Sequence, residues 1–385
     1  MINIPRCKKF SGYKPCLSYH NCLQNGCQLD SKENRIGTKI LIISLDALGN
    51  VLLNTSILPA IKRKFPESTV YWLTKDNARQ ILENNQYIDF VYTWNESDRM
   101  ILRNMKFDYL FNGDKAINAC AFANEVNAEF KKGFVLNGDS VIIPTDDDAL
   151  YNFRMGIDDQ LKFRENKKSG SQIITETFGL DYKRDEYVFN FTELEYKFID
   201  DFKIQNNFDR TKYHIGFNTG CSNLFPNKKM TVEQHIFLIT ELLKNSYLKV
   251  VLLGGKEDTE RNLEIYEHFS KEDRKRIVYT PTNLGIRAGA CLMSICDVVI
   301  TGDSFGMHLA IALKKYVIAW FGLSCWEEID LFDRGEKLFP VGLECSPCWK
   351  RECPYNLECI QMIDLKKIIN LVIKYCLTDT QKSTT

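Results

Sequence analysis

From Thr38 onward the chain alternates between short runs of consecutive apolar residues and longer stretches in which apolar residues recur every three or four positions. The run TKILIISL ends at DALGN and passes into VLLNTSILPAIKRKFP, whose apolar positions have helical spacing. A strand buried on both faces that feeds a helix through a tight glycine turn is the opening unit of a doubly wound parallel sheet. Further strands are expected at STVYWLT, DFVYTW, FDYLFN and SVIIP, with helical stretches such as DNARQILENN between several of them. The pattern restarts after residue 200 with HIGFNTG, LKVVLLGG, RIVYTP, CDVVITGD and YVIAWFG, separated by amphipathic segments such as TVEQHIFLITELLKN and RNLEIYEHFSKED.

The expectation is therefore an α/β protein with two Rossmann-like domains facing a central cleft. A length of 385 residues suits two domains, each able to bury its own core. The expected organisation is a Cys-rich extension over 1–36, a first Rossmann-like domain over 37–195, a second over 196–375, and a polar tail over 376–385. The charged, helix-compatible stretch 151–178 either covers the first domain or leads to the second. In such folds ligands bind where strand ends meet helix N-termini, so the chemistry belongs in the turns after the strands.

Charge narrows the possible partners. The 50 acidic and 50 basic residues cancel, so no global field recruits nucleic acid or an anionic membrane surface. No run of eighteen apolar residues occurs and the first residues lack the apolar stretch of a signal peptide, which points to the cytosol and to no membrane span. In a reducing compartment the fourteen cysteines are better explained as metal ligands than as disulfides.

The turn Thr301-Gly302-Asp303-Ser304-Phe305-Gly306-Met307-His308 follows the strand DVVI and opens the helix MHLAIALKK. Its glycines let the backbone approach a ligand, and the free N–H groups of the helix start suit a pyrophosphate, although an ordinary capped helix start accounts for the same residues. Asn218-Thr219-Gly220-Cys221 follows another strand and stands close in sequence to Lys228 and Lys229, where hydroxyls, amides and one ammonium could hold a diphosphate; the alternative is a solvated lysine pair. Gly254-Gly255-Lys256-Glu257 ends a third strand, where Glu257 either bonds ribose hydroxyls or simply starts a helix favourably. In the first half, Asp46 in Ser44–Asn50 and Asp114 beside Lys115 occupy comparable turns, or serve as surface ion pairs. Neither GxGxxG nor a Walker A sequence is present.

Taken in order, ALGNVLLNTSILPAIKRKFPESTVYWLT, NKKMTVEQ, VLLGGKED and TGDSFGMHLAIALKKYVIAWFG resemble the turns of glycosyltransferase family 9, the heptosyltransferases and their relatives, over most of residues 38–375. The resemblance implies a two-domain GT-B architecture and metal-independent, inverting transfer of a sugar from a nucleotide diphosphate donor, with ADP-heptose the leading choice. It implies a bacterial, cytoplasmic enzyme acting on a protein hydroxyl or on a glycan of the lipopolysaccharide type. By position, Lys228 would hold the diphosphate, Glu257 the ribose, and Asp303, Ser304 and His308 the diphosphate and sugar, with Thr219, Gly220, Gly306 and Met307 lining the donor turns. Three departures stand out: Asn50 replaces the aspartate after Leu-Gly, Lys-x-Trp-Pro has become Lys228-Lys229-Met230-Thr231, and Asp-Thr-Gly has become Asp303-Ser304-Phe305. An amide cannot accept a proton as a base, so Asp46, then Asp114, is expected to take that role. The competing readings are the same fold using another nucleotide sugar for surface polysaccharide, and a non-catalytic nucleotide-sugar-binding scaffold.

The cysteines gather at both ends. Cys345, Cys348, Cys353 and Cys359 have the spacing C-x2-C-x4-C-x5-C, which fits one tetrahedral ion, zinc or iron, held by four thiolates. Cys7, Cys16, Cys22 and Cys27 form a looser set, with His20 as a substitute ligand. The C-terminal set also resembles the cysteine finger of the autotransporter heptosyltransferases, a subgroup in which the metal is iron, the acceptor is a protein and large oligomers form; a homo-oligomer is thereby implied. Either metal is expected to be structural, stapling irregular segments.

Overall fold

The computed structural model describes residues 4–27, 32–45, 47–209 and 211–378, with the side chains of Cys22 and Lys32 outside that description. The described residues within Met1–Ala47, Asn54–Arg154 and Gln172–Asp185 form one compact unit, and those within Leu48–Leu53, Met155–Ser171 and Glu186–Thr385 form a second.

The first unit is built on a six-stranded sheet of β1 (Lys39–Ile43), β2 (Thr69–Thr74), β3 (Phe90–Thr93), β4 (Lys106–Asn112), β5 (Asn127–Leu136) and β6 (Ile142–Pro144), in the order β3-β2-β1-β4-β5-β6. All neighbours are parallel except β6, which runs antiparallel to β5. Ile40 to Ile43 and all six residues of β2 are buried, as a strand covered on both faces demands. The helix Ile57–Lys64 turns Ile57, Leu58, Ala60 and Ile61 inward and ends in Lys62, Arg63 and Lys64, which complement its carboxyl-end dipole. Tyr71 anchors the apolar cluster by stacking on Phe90 at 4.8 Å and meeting Phe107 edge-on at 5.4 Å.

The second unit repeats the plan with β7 (Tyr213–Asn218), β8 (Leu248–Leu253), β9 (Ile277–Tyr279), β10 (Val298–Gly302), β11 (Tyr316–Trp320) and β12 (Gly335–Leu338). The order β12-β11-β10-β7-β8-β9, read from its β9 edge, is the same doubly wound order as in the first sheet, and here every pair is parallel. The helix Val232–Leu243 begins with a capping box in which Thr231 and Gln234 satisfy each other's backbone N–H groups. The final helix, Leu365–Thr378, lays Ile368, Val372 and Cys376 on the same core as Ile215, Val250 and Ile300.

All ten strands expected from apolar runs, counting TKILIISL, are present. Two further strands carry no such run. β5 holds Glu129, Lys131 and Lys132 and buries only Gly133 and Phe134 fully, so it lacks both a continuous apolar stretch and a clean alternation. β12 is the four-residue edge GEKL, held by backbone pairing to β11. In each sheet the strand order reverses beside the first strand, between β1 and β4 and between β7 and β10. Ligands of open α/β sheets bind at the carboxyl ends of strands at such a point.

Candidate functional site

At the reversal point of the second sheet, β10 ends at Gly302 and Ser304 caps the helix Phe305–Ala312, its hydroxyl accepting the Met307 N–H at 3.4 Å. Asn218, the last residue of β7, donates through Nδ2 to Thr301 Oγ1 at 3.0 Å, to Ser304 Oγ at 3.1 Å and to the Gly220 carbonyl at 3.3 Å. The amide thus ties the ends of two strands and the helix start into one frame. A Cβ on Gly306 would lie 2.5 Å from the Asn218 side chain, so only glycine lets the helix approach this closely.

Two lysines enter this frame from the turn Pro226–Lys228 and the residue after it. Lys228 Nζ is 2.5 Å from Asp303 Oδ2, with both side chains largely buried. Burial pushes the Asp303 carboxyl towards neutrality, but the Lys228 ammonium outweighs it and holds that carboxyl below the usual carboxylate range. Lys229 pairs with Asp258 at 3.2 Å, and Asp258 also accepts the Gly255 N–H at 3.0 Å. A Cβ on Gly220 would fall 1.8 Å from Asp258 Oδ2, which makes glycine obligatory where the turn after β7 passes that carboxylate.

Asp258 was not among the sequence candidates, which named its neighbour Glu257. Glu257 is exposed on the one-turn segment Lys256–Asp258, whereas Asp258 is buried and joins the turns after β7 and β8. The signal that could have found it is the pair of glycines, Gly220 and Gly254, whose hypothetical side chains would both collide with Asp258. Thr219 faces inward, its hydroxyl 2.5 Å from Asn262 Oδ1, while Asn262 Nδ2 donates to the Leu253 carbonyl at 3.2 Å.

His308 is buried, its Nδ1 has no hydrogen-bond partner, and its ring stacks on Tyr187 at 5.9 Å. Burial pushes its pKa down to about 4, Asp303 opposing the shift and Lys228 adding to it. The imidazole is therefore neutral at pH 7. A Cβ on Gly49 would come within 2.6 Å of His308 Cδ2, so the helix Leu48–Asn54 meets the ring through a residue that has no side chain.

At the reversal point of the first sheet, the Asp114 carboxylate accepts the Leu45 N–H and its own N–H donates to Asn112 Oδ1 at 3.2 Å. Asn112 Nδ2 donates to the Phe134 carbonyl at 2.7 Å. Asp114 is thus buried and committed to fixing the turn after β1. Asn50 is exposed in the first turn of Leu48–Asn54, and Asp46 lies outside the described residues.

Cys345, Cys348, Cys353 and Cys359 are unbonded thiols lining one cavity of about 110 Å³, together with Gly322 and Leu323. Burial, reinforced by Cys353, Cys348 and Cys345, pushes the Cys359 thiol up to about 11. Among the described residues no group of three or more His, Cys, Asp or Glu stands in a metal-liganding arrangement. At the other end Cys7 and Cys27 are half-buried and Cys16 is exposed, while His20 Nε2 is 2.8 Å from the Gly26 carbonyl. Cys120, Cys291, Cys296 and Cys325 are buried, with thiols pushed up by burial to about 11, 11, 12 and 12, the condition of inert core residues.

The model of glycosyltransferase family 9 (heptosyltransferase) matches residues 99–358. The chain belongs to this family. The lipooligosaccharide heptosyltransferase 2 of Campylobacter jejuni serotype O:6 is 25% identical over 162 residues, which is 42% of this chain and 50% of that protein. The chain thus spans about half the length of the curated relatives it first matches. Among solved structures, the family 9 glycosyl transferase from Veillonella parvula superposes with a TM-score of 0.70 at 19% identity, covering 88% of this chain and 97% of that one. The E. coli ADP-heptose lps heptosyltransferase II gives 0.66 at 16%, covering 89% and 99%. The iron-containing dodecameric glycosyltransferase TibC from enterotoxigenic E. coli gives 0.52 at 13%, covering 88% and 76%. These likenesses establish the GT-B-like fold of two parallel-sheet domains.

The lowered His308 pKa makes a prediction about stability. Between pH 6.5 and pH 4 the unfolded chain binds a proton at His308 that the folded chain refuses, so stability is complete above the unfolded value and falls as pH drops through this window. His308→Gln should remove about 3 kcal/mol of that dependence by pH 4, measured as the free energy of urea unfolding against pH. His235, pushed by burial to about 4 as well, supplies the parallel dependence that remains. A variant profile that parallels the parent's across this range refutes the assignment.

Proposed function

We propose that the protein is an inverting glycosyltransferase that moves heptose from ADP-heptose onto a glycan acceptor of the lipooligosaccharide type. The observation that carries this reading is the Lys228–Asp303 pair set against the start of the helix Phe305–Ala312, in a family 9 chain. A departing nucleoside diphosphate needs positive charge and preorganised N–H donors where its own charge develops. Lys228 supplies the charge, Asp303 aims it, and the backbone N–H groups of Ser304 and Gly306 supply the donors, the Met307 N–H being taken by the Ser304 cap. Thr219 and Gly220 shape the floor of this site, and Glu257, free in solvent, reaches the ribose hydroxyls. His308, neutral at pH 7, offers hydrogen bonding to the sugar without adding a cation.

The acceptor hydroxyl must lose a proton, and Asn50 cannot take it. Asp46 is our first choice of base and Asp114 the second, since the Asp114 carboxylate already accepts the Leu45 N–H. A lipooligosaccharide acceptor is favoured by the name of the C. jejuni relative. A cytoplasmic location agrees with the use of a nucleotide sugar, and no helix among the described residues is long and apolar enough to cross a membrane.

Cys345, Cys348, Cys353 and Cys359 would hold a structural iron or zinc ion. The four thiols line one cavity, and burial together with repulsion from the neighbouring Cys353, Cys348 and Cys345 pushes the Cys359 thiol up; a bound cation removes that repulsion. The likeness of the chain's fold to the iron-containing, dodecameric TibC is what suggests extending the reading to a homo-oligomer. The N-terminal set depends partly on Cys22, whose side chain lies outside the described residues.

Calorimetry with ADP, UDP, GDP and CDP tests the donor reading: ADP should bind selectively, and Lys228→Met should weaken it by roughly ten- to a hundredfold through loss of a charge-assisted contact. Mass spectrometry should then detect ADP release from ADP-heptose with a lipooligosaccharide core fragment present. Selective binding of another nucleotide would reassign the donor, and binding without turnover would favour a scaffold in which Asn50 marks a lost base. Transfer by Asp46→Asn should drop at least a hundredfold, the low end of a general-base contribution; if Asp46→Asn and Asp114→Asn both transfer at the parent rate, neither is the base. Elemental analysis of anaerobically purified protein should find iron or zinc that Cys345→Ser loses, and retention by that variant would refute the C-terminal metal site.

A further inference from the structure

Lys228 is held at more points than its partner Asp303 explains. Its ammonium lies 4.7 Å from the centre of the Trp349 ring and 5.2 Å from that of Phe225, and the two rings meet edge to face at 5.3 Å. Its carbonyl accepts the Trp320 indole N–H at 3.0 Å. Trp349 belongs to the cysteine segment, directly after Cys348. That segment is pinned to the turn after β11: the N–H groups of Cys348 and Trp349 both donate to the Leu323 carbonyl, at 2.9 and 3.0 Å, and Asn227 Nδ2 donates to the Lys350 carbonyl at 3.0 Å. Trp349 has a φ of 52°, in the left-handed region a tryptophan rarely occupies, so the surrounding bonds rather than local preference fix where the indole sits.

We propose that Trp349 is a positioning residue for Lys228: its ring face, with Phe225, forms an aromatic wall that keeps the ammonium beside Asp303 and aimed at the donor diphosphate. This rests on the donor-site reading above for its functional meaning, but not for the contact itself. A lysine side chain has four rotatable bonds, and a single carboxylate fixes only the end of it. A ring quadrupole as a second anchor narrows the choice of arrangements and attracts the cation without neutralising it. The wall comes from residues outside the family's Lys-x-Trp-Pro stretch, whose tryptophan position is here the fully buried Met230. The cysteine segment thereby shapes the donor site through a side chain, and a disturbance of its backbone reaches Lys228.

Two measurements on the full-length protein decide the matter. In the first, Lys228 acetylation by dilute acetic anhydride is followed by peptide mass spectrometry without ligand. Trp349→Leu should raise the Lys228 rate about threefold or more relative to lysines elsewhere, and Trp349→Phe should stay within about twofold of the parent, since both rings present a π face. An unchanged Lys228 rate in Trp349→Leu overturns the proposal. In the second, ADP affinity is measured in the parent and in Lys228→Met. Trp349→Leu should weaken ADP about fivefold when Lys228 is present and less than twofold when it is Met, because a residue acting through Lys228 has nothing to act on in the second background. Equal weakening in both backgrounds would mean a merely structural role and would also overturn it. If the parent binds no nucleoside diphosphate, the donor reading falls while the labelling result still decides whether Trp349 holds the ammonium.

Discussion

The second unit is organised around one ion pair. Lys228 and Asp303 stand 2.5 Å apart and are both largely out of water, a placement that neither charge tolerates alone. Removing one partner from a buried pair costs about 3–5 kcal/mol, because the survivor is left uncompensated. A buried pair is weak evidence for stability, since an apolar pair of similar volume often does as well. In the proposed function, its place at the sheet's reversal point gives an incoming anion an ammonium with one satisfied side.

The backbone around the pair is arranged to permit it. Asn218 spends its amide hydrogens on Thr301, Ser304 and Gly220, which fixes the ends of β7 and β10 at one spacing. Gly306 and Gly220 then allow two close approaches, one to Asn218 and one to Asp258, that any Cβ would block. The second pair, Lys229 with Asp258, holds the far side of the same turn. Adjacent lysines thus diverge to separate carboxylates, and a segment that reads as a solvated lysine pair in the sequence becomes two buried supports.

How much of this was legible follows from the type of signal each feature leaves. Strands buried on both faces leave apolar runs, and those runs located ten of the twelve strands among the described residues and the repetition of the plan. β5 left no run because Glu129, Lys131 and Lys132 interrupt its apolar residues, and β12 left none because a short edge strand is held by its neighbour's backbone. Lys228, Asp303, Ser304 and His308 were singled out because chemistry-bearing residues cluster in glycine-containing turns. Asp258 escaped because its role is set by two glycines, at 220 and 254, that converge on it from different turns. Trp349 escaped for the same reason: it lies more than a hundred residues from Lys228, and only folding brings ring and ammonium together.

The two sheets share one strand order yet use their reversal points differently. In the first, the Asp114 carboxylate accepts the Leu45 N–H and Asn112 crosses to the Phe134 carbonyl, so the polar groups there are consumed in holding strand ends together. In the second, strand ends are held by an amide, Asn218, which leaves the charged groups free to pair with each other. The Asp114 carboxylate accepts a backbone N–H, whereas the Asp303 carboxylate pairs with a lysine that the proposed function has it aim. The neutral His308 sharpens the contrast, because burial removes its charge and leaves the ammonium of Lys228 as the cation paired with Asp303. Topology alone would assign both places the same role; the partners of the two carboxylates are what distinguish them.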